Sequence, residues 1–300
     1  MAVSLQVQSV IYHNQKESLH RAITSLANAI RVNRDTTKEL GEVTVWYGDA
    51  SSDPIFSNEE VAKIADEFQD YFTFRYKFFG ENTGSAKGHN LIGAEGDSEY
   101  MMIMNPDVVV CPRFFEMMLK PFADESKKAG MVEARQTPVE HPKEYDKKTF
   151  ETEWCTTACA IFSRETFNQV NGFDNETFFL YGDDLDFSWR VRLLDKKLYY
   201  RPDCVVYHAK GLSAGAKWQP TSAEVYYSME VALLMAYKWS NKKRFNKLYR
   251  MFSNSGAEGK KVIARFEEMK KQGKLPKRLD PEHKVARFVG DLYCDHRFAL

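Results

Sequence analysis

Strand-like and helix-like segments alternate four times within the first 104 residues, and each strand-like segment runs into a polar cluster. Residues 5–12 form a short run rich in β-branched side chains. Leu19, Ala22, Ile23, Leu26, Ala29 and Ile30 then recur at helical spacing. Residues 42–47 read as a second strand, closed by the turn-rich Gly48-Asp49-Ala50-Ser51-Ser52-Asp53-Pro54. Val61, Ile64, Ala65 and Phe68 mark a second amphipathic helix. Residues 73–79 and 100–104 read as the third and fourth strands, with a helix opening near Gly84 between them. The pattern predicts an α/β fold with a mostly parallel central sheet and helices on both faces.

After about residue 140 the alternation becomes irregular. Residues 157–162, 197–201 and 204–207 read as strands, and residues 184–194 as a helix. Past Gly215 strand signals stop, and residues 222–250 and 258–272 read as two helices. A boundary near Trp218 is therefore expected, giving a domain over residues 1–218 and a helical extension over 219–300.

The 43% hydrophobic and 14% aromatic content supplies a sizeable core. Lysine plus arginine equals aspartate plus glutamate at 42 each, so no overall field calls for nucleic acid as partner. The balance hides a basic stretch: residues 238–278 hold fourteen cations and three anions. The five cysteines, Cys111, Cys155, Cys159, Cys204 and Cys294, lack redox or zinc spacing and suit a reducing compartment. The first residues lack a signal-peptide layout, and the apolar run 231–237 is far short of a membrane span. A cytoplasmic protein is expected.

In parallel sheets ligands sit in the crevice beyond the strand ends. Four polar clusters fall there: Tyr12-His13-Asn14, Gly48-Asp49-Ala50-Ser51, the stretch Asn82-Thr83-Gly84 through Lys87 to Asn90, and Asn105-Pro106-Asp107. Each alone is accounted for by a helix cap or a turn. Asp107, however, lies between two apolar runs, and a carboxylate there needs a partner such as a divalent cation. Further on, Phe178-Phe179-Leu180-Tyr181-Gly182-Asp183-Asp184-Leu185-Asp186 gathers three carboxylates within four positions. They are either the acidic first turn of a helix or a set held by metal or proton.

The ordered blocks Asn82-x-Gly84-x3-Gly88-x-Asn90, Asn105-Pro106-Asp107, Ala158-Cys159-Ala160-Ile161-Phe162-Ser163-Arg164, Gly172-Phe173-Asp174 with the aromatic-acidic run, and Arg201-Pro202-Asp203-Cys204-Val205-Val206-Tyr207-His208 closely resemble family 2 glycosyltransferases of the GT-A fold. The likeness is best to the rhamnosyltransferase-like branch of bacterial surface polysaccharide synthesis and covers about residues 5–211. By that resemblance Asp107 is the last carboxylate of the metal-binding motif, with Asn105 in place of the first, and His208 completes the metal site. Asp184 matches the general base, and Asp183 stands where glutamate is more usual. Tyr12, His13, Asn14 and Asp49 match the base and ribose pocket; Asn82, Gly84, Lys87 and Asn90 belong with the nucleotide and sugar contacts. One departure concerns Gly48-Asp49-Ala50-Ser51, where the family usually has Asp-Asn-x-Ser; the aspartate reads as displaced by one place.

The resemblance implies Mn²⁺- or Mg²⁺-dependent, inverting transfer from a UDP- or dTDP-linked sugar to a hydroxyl of a glycan or lipid-linked acceptor. The chemistry agrees: a leaving diphosphate needs its charge stabilised, and a sugar hydroxyl needs a base. A sugar-1-phosphate nucleotidylyltransferase would carry a Gly-rich loop after the first strand, and Tyr12-His13-Asn14-Gln15 has no glycine. A dinucleotide-binding dehydrogenase is disfavoured likewise. A non-catalytic nucleotide-sugar-binding protein on the same scaffold is the remaining alternative. The apolar groups of residues 226–239 require part of the C-terminal segment to pack on the transferase domain. The mixed basic and aromatic stretch 242–252 is expected either to close the acceptor side of the cleft or to meet anionic lipid headgroups, or the diphosphate of a lipid-linked acceptor, at the inner membrane face.

Overall fold

The computed structural model describes residues 2–140, 143–209 and 222–289. In chain order the elements are β1 (Val3–Ile11), α1 (Lys16–Asp35), β2 (Leu40–Asp49), α2 (Asn58–Glu67), β3 (Thr73–Phe78), α3 (Gly84–Gly93), β4 (Tyr100–Met104), β5 (Val108–Val109) and α4 (Phe114–Leu119). There follow β6 (Ala129–Thr137), β7 (Glu151–Thr152), β8 (Cys159–Ser163), α5 (Arg164–Gln169), α6 (Asp183–Leu193), β9 (Lys197–His208), α7 (Ser222–Lys238), α8 (Lys242–Ser253) and α9 (Ala257–Lys271).

The sheet runs β3-β2-β1-β4-β8-β6-β9-β5, with β7 also on β9. β1 pairs in parallel with both β2 and β4, and β6 with β9. β8 is antiparallel to β4 and β6, so β6 and β9 point the same way as β1. The carboxyl ends of six strands therefore share one edge, and the strand order reverses between β1 and β4. That reversal opens a crevice where a ligand can lie.

Local chemistry explains the elements. The apolar stripe of α1 faces the sheet, with Leu19, Ala22, Ile23, Leu26 and Ile30 fully buried. Each of the leucines and isoleucines contributes roughly 1.5–3 kcal/mol on burial. Helix α2 starts at a capping box in which Ser57 and Glu60 satisfy each other's backbone N–H groups. Residues 197–201 and 204–207, expected as two strands, form the single strand β9. Pro202 lacks an N–H, and the ladder with β6 slips there: Ala134 faces Arg201, while Arg135 faces Val205. Strand β6 itself was not expected; its run Ala-Gly-Met-Val-Glu-Ala-Arg-Gln-Thr has neither clean alternation nor continuous apolarity.

Residues 222–250, expected as one helix, are two. Ser240 takes a left-handed conformation (φ 57°), and the Asn241 side chain accepts from Arg244 N–H to cap α8. Helices α7, α8 and α9 share an apolar cluster with Trp154, Phe178, Leu185 and Trp189, so the C-terminal segment packs on the sheet-bearing part as expected. Trp239 is fully buried and meets Trp189 edge-on at 5.1 Å. The anticipated boundary at Trp218, and Cys294, lie outside the described residues. Among those residues Cys111, Cys155, Cys159 and Cys204 are free thiols, and no helix is long and apolar enough to cross a membrane.

Candidate active site

A cavity of about 630 Å³ lies over the shared strand edge. It brings together Tyr12 and Asn14 after β1, Asn82 and Gly84 at the start of α3, and Asn105 and Asp107 after β4. Asp183 and Asp184 of α6 and His208 at the end of β9 complete the convergence. Residues nearly two hundred positions apart thus share one cavity because parallel strands deliver them to one edge.

The short strand β5 sets the Asp107 side. It pairs antiparallel with β9, Val108 facing His208, so Asp107 comes to lie beside the last turn of that strand. His208 Nε2 is 3.4 Å from Asp107 Oδ1 and 3.3 Å from Asn105 Nδ2. The other ring nitrogen, Nδ1, is 2.7 Å from Gln136 Oε1. Among the described residues no group of three or more His, Cys, Asp and Glu is arranged to hold a metal ion. One carboxylate, one imidazole nitrogen and one amide face each other here.

On the opposite side, α6 begins with the acidic turn. Gly182 has φ +70°, and a Cβ there would lie 2.4 Å from Val231 Cγ1, so α7 packs hard against this turn. Asp183 is buried with Oδ2 unpartnered, and burial pushes its carboxyl above the usual carboxylate range. Asp184 accepts from the Leu185 N–H at 2.7 Å; burial, then the neighbouring Asp183 charge, push it up to about 7. The third carboxylate has a different fate. Asp186 Oδ1 accepts from Lys238 Nζ at 2.6 Å and Trp239 Nε1 at 3.0 Å, while Oδ2 takes Arg190 Nε at 2.7 Å. Lys238 also binds Asp174 at 2.6 Å, tying α7 to α6 and to the Gly172-Phe173-Asp174 turn.

The profile of glycosyl transferase family 2 matches residues 9–198. The chain belongs to that family. Rhamnosyltransferase WbbL of Escherichia coli strain K12 is 26% identical over 134 residues, 35% of this chain and 50% of the relative. This family 2 chain therefore spans about half the length of that curated relative. Among solved structures, GalNAc-T7 with UDP, GalNAc and Mn²⁺ superposes with a TM-score of 0.64, covering 95% of this chain and 57% of that one at 11% identity. The mannosyltransferase PcManGT from Pyrobaculum calidifontis, in complex with GDP-Man and Mn²⁺, gives a TM-score of 0.54 over 90% and 70% at 15% identity. The fold is GT-A.

Four anticipated site residues of this family 2 chain do not line the cavity. Asp49 is fully buried: Oδ1 accepts from Ser51 N–H at 2.9 Å, and Oδ2 from Ile55 N–H at 2.7 Å and from the Tyr76 hydroxyl. It holds the loop after β2. It is also the last residue of that strand. His13 takes a left-handed conformation, φ 53°, with its N–H on Ser51 Oγ at 2.9 Å. Lys87 pairs with Glu81 at 2.5 Å on the surface. Asn90 clamps Phe173 through its N–H and carbonyl, at 2.8 and 2.7 Å, and also reaches Asn175 at 2.8 Å. Its contribution is to hold the turn before the acidic run against α3.

Sequence reasoning missed other members of the site. Gln136 and Thr156 line the cavity, backed by a buried Lys143–Glu133 ion pair of 2.6 Å. A glutamate amid Met131-Val132 and Ala134 was the available signal, since a carboxylate in such a run needs a partner. Phe179 and Tyr227 also line it, stacked with centroids 5.3 Å apart, and Tyr227 comes from α7. His89 borders it too, and burial holds its imidazole down at about 3, hence neutral.

Proposed function

We propose that this chain transfers a glycosyl group from a nucleotide-diphosphate sugar to an acceptor hydroxyl, with inversion and with a divalent cation. One observation carries the reading: Asp107, Asp183 and Asp184 line the cavity, and among the described residues no Lys or Arg does. A diphosphate placed among three carboxyl groups needs a cation to offset the repulsion. Asp107 oxygen, His208 Nε2 and the Asn105 amide fit Mn²⁺ or Mg²⁺, ions that commonly take few protein ligands and complete their shell with substrate phosphates and water. When bound, the cation would stabilise the negative charge developing on the departing diphosphate.

The chain's own groups supply the rest. Asp184, poised near neutrality, takes the proton of the acceptor hydroxyl as its oxygen bonds to the anomeric carbon. The bond from that carbon to the diphosphate oxygen breaks on the opposite face, so configuration inverts. Asp183 lines the cavity beside Asp184, and its charge helps to raise that carboxyl toward neutrality. Tyr12, Asn14 and the Asn82–Gly84 turn flank the nucleotide, and the Phe179–Tyr227 pair flanks the sugar side. UDP and GDP-Man in the two similar structures support a nucleotide-linked donor. The motif resemblance implies a UDP- or dTDP-linked hexose or deoxyhexose, a glycan or lipid-linked acceptor and a place in surface polysaccharide synthesis, and similarity to a rhamnosyltransferase supports the deoxyhexose among these.

Residues 1–218 are assigned the transferase and 219–300 the helical extension, which lends Tyr227 to the cavity. A cytoplasmic location with reversible contact to anionic membrane completes the proposal. The apolar side of α8, with Leu248 and Phe252, is buried against its neighbours, and Arg244 is buried with its guanidinium over Phe288. Lys242, Lys243, Lys247 and Arg250 lie on the exposed side, so the contact is electrostatic, at ~1 kcal/mol per cation. Salt-sensitive co-sedimentation with anionic vesicles is expected, and its absence at low salt removes this part.

A thermal-shift and turnover panel of nucleoside diphosphates and nucleotide sugars, with and without Mn²⁺, tests the main reading. A donor at one hundred times its dissociation constant stabilises by ~2.7 kcal/mol. Binding without turnover would mark a non-catalytic binder. Full activity in excess EDTA would remove the cation, and no response to any nucleotide would overturn the site.

A further inference from the structure

Behind His208 a line of buried polar groups runs back to Lys143, and each link has one direction. Lys143 Nζ lies 2.6 Å from Glu133 Oε2 and donates to Trp154 O at 2.9 Å; both members of the ion pair are almost wholly buried. The lysine can only donate, and the ionised carboxylate can only accept. Thr156 must therefore give its hydroxyl hydrogen to Glu133 Oε1, 2.7 Å away. Its oxygen is then left to accept, and Gln136 meets it with Nε2 at 3.0 Å. That choice turns Gln136 Oε1 toward His208, where Nδ1 stands at 2.7 Å and must carry the hydrogen. In the neutral ring Nε2 is then the bare nitrogen, and it faces Asn105 Nδ2 and Asp107 Oδ1.

We infer that the Lys143–Glu133 pair, acting through Thr156 and Gln136, fixes His208 as the Nδ1–H tautomer and presents its Nε2 lone pair to the Asp107 side of the cavity. Gln136 and Thr156 are positioning residues: they act through the histidine. Gln136 is placed for this by the β6–β9 ladder, where it faces Val206, two residues before His208 on the same side of β9. The polarity survives because Glu133 is fully buried, and Gln136 and Thr156, although they border the cavity, are largely buried with their polar atoms already paired along the line. For the donor site the consequence rests on the cation reading above: a ligating histidine whose second nitrogen is hydrogen-bonded is held in orientation and tautomer.

The test uses the full chain, ¹⁵N-labelled at histidine and free of metal, at about pH 8.5, well above the ordinary histidine range. Long-range proton–nitrogen correlation, assigned with His208→Gln, reports which ring nitrogen is protonated. Wild type and Thr156→Ser, which keeps the hydroxyl, are expected to show hydrogen on Nδ1 only. Thr156→Val, nearly the same shape, frees the Gln136 amide to turn and is expected to populate the Nε2–H form. Titration with Mn²⁺ is expected to weaken by about 10–100-fold in Thr156→Val and to stay unchanged in Thr156→Ser. Hydrogen on Nε2 in wild type, or a Thr156→Val spectrum identical to wild type, overturns the inference. If His208→Gln binds Mn²⁺ as wild type does, the cation reading fails, while the metal-free spectra still decide the tautomer.

Discussion

Replacing Asp184 by asparagine should make the protein more stable and far less active at once. The asparagine oxygen can keep the bond from Leu185 N–H, so what changes is the charge. In the folded chain this carboxyl is held near 7 against an ordinary 3.8, because burial and then Asp183 disfavour the ionised form. The fold thus favours the neutral acid, a contribution fully present below about pH 4 and lost as pH rises through about 7. The full difference corresponds to about 4 kcal/mol. Water in the open cavity screens part of it, leaving about 1–4 kcal/mol of strain at pH 8. With an unfolding entropy of ~2.1 cal/mol/K per residue, Asp184→Asn should melt roughly 2–6 °C higher than wild type at pH 8, the gap closing as pH falls below about 4. Loss of the base should lower kcat by roughly 10² to 10⁴-fold with little change in donor affinity. The wild-type kcat/KM should fall on the acid side of about pH 7, and Asp183→Asn should move that limb to lower pH by removing the neighbouring charge. Scanning calorimetry across that pH range and a nucleoside-diphosphate release assay measure both. A variant less stable than wild type at pH 8, or a rate loss under tenfold, would refute the reasoning.

Two further substitutions test how the cavity is held. Lys238→Met leaves Asp174 without its cation and Asp186 with only Arg190 and Trp239, a loss of about 3–5 kcal/mol, or roughly 5–8 °C in Tm. Burial works to raise Asp174, but the Lys238 charge and hydrogen bonds outweigh it and keep the carboxyl below its usual range. The stability involved is present above the ordinary aspartate range and lost as pH falls through the folded value, so the gap between variant and wild type should narrow in acid; a Tm within one degree at pH 7 removes the argument. Gly84 has φ +66°, and a Cβ there would stand 2.2 Å from the Phe179 carbonyl oxygen that Ser85 N–H binds at 3.1 Å. Gly84→Ala should cost about 1–3 kcal/mol and raise the donor KM, and an unchanged melting curve with unchanged KM would show that the turn is not under this constraint.

The alternation of strands and helices, the polar clusters at strand ends and the acidic turn were legible in the sequence because periodicity is a local property. Leu5 to Ile11, the α1 stripe and the Tyr100–Met104 run each declare their own buried face within a few residues. The order of the blocks around Asn105-Pro106-Asp107 and Asp183-Asp184 was likewise enough to resemble a family, since motif spacing lies along the chain. Partners were not legible. Nothing local distinguishes Asp186, neutralised by Lys238 and Arg190, from Asp184 two positions earlier, which among the described residues forms no ion pair and feels Lys143 only at a distance; long-range packing of α7 makes the difference. Asp49 and Asn90 looked like ligands because polar residues at strand and helix ends serve turns and substrates alike, and only the fold shows their hydrogen bonds already committed. Strand β6 escaped notice because its polar members, Glu133 and Gln136, meet Lys143, Thr156 and His208 across separations of up to 72 residues. A buried polar group is stable only when such distant partners arrive together, so sequence determined the frame and tertiary structure decided which of its charges are available to a substrate.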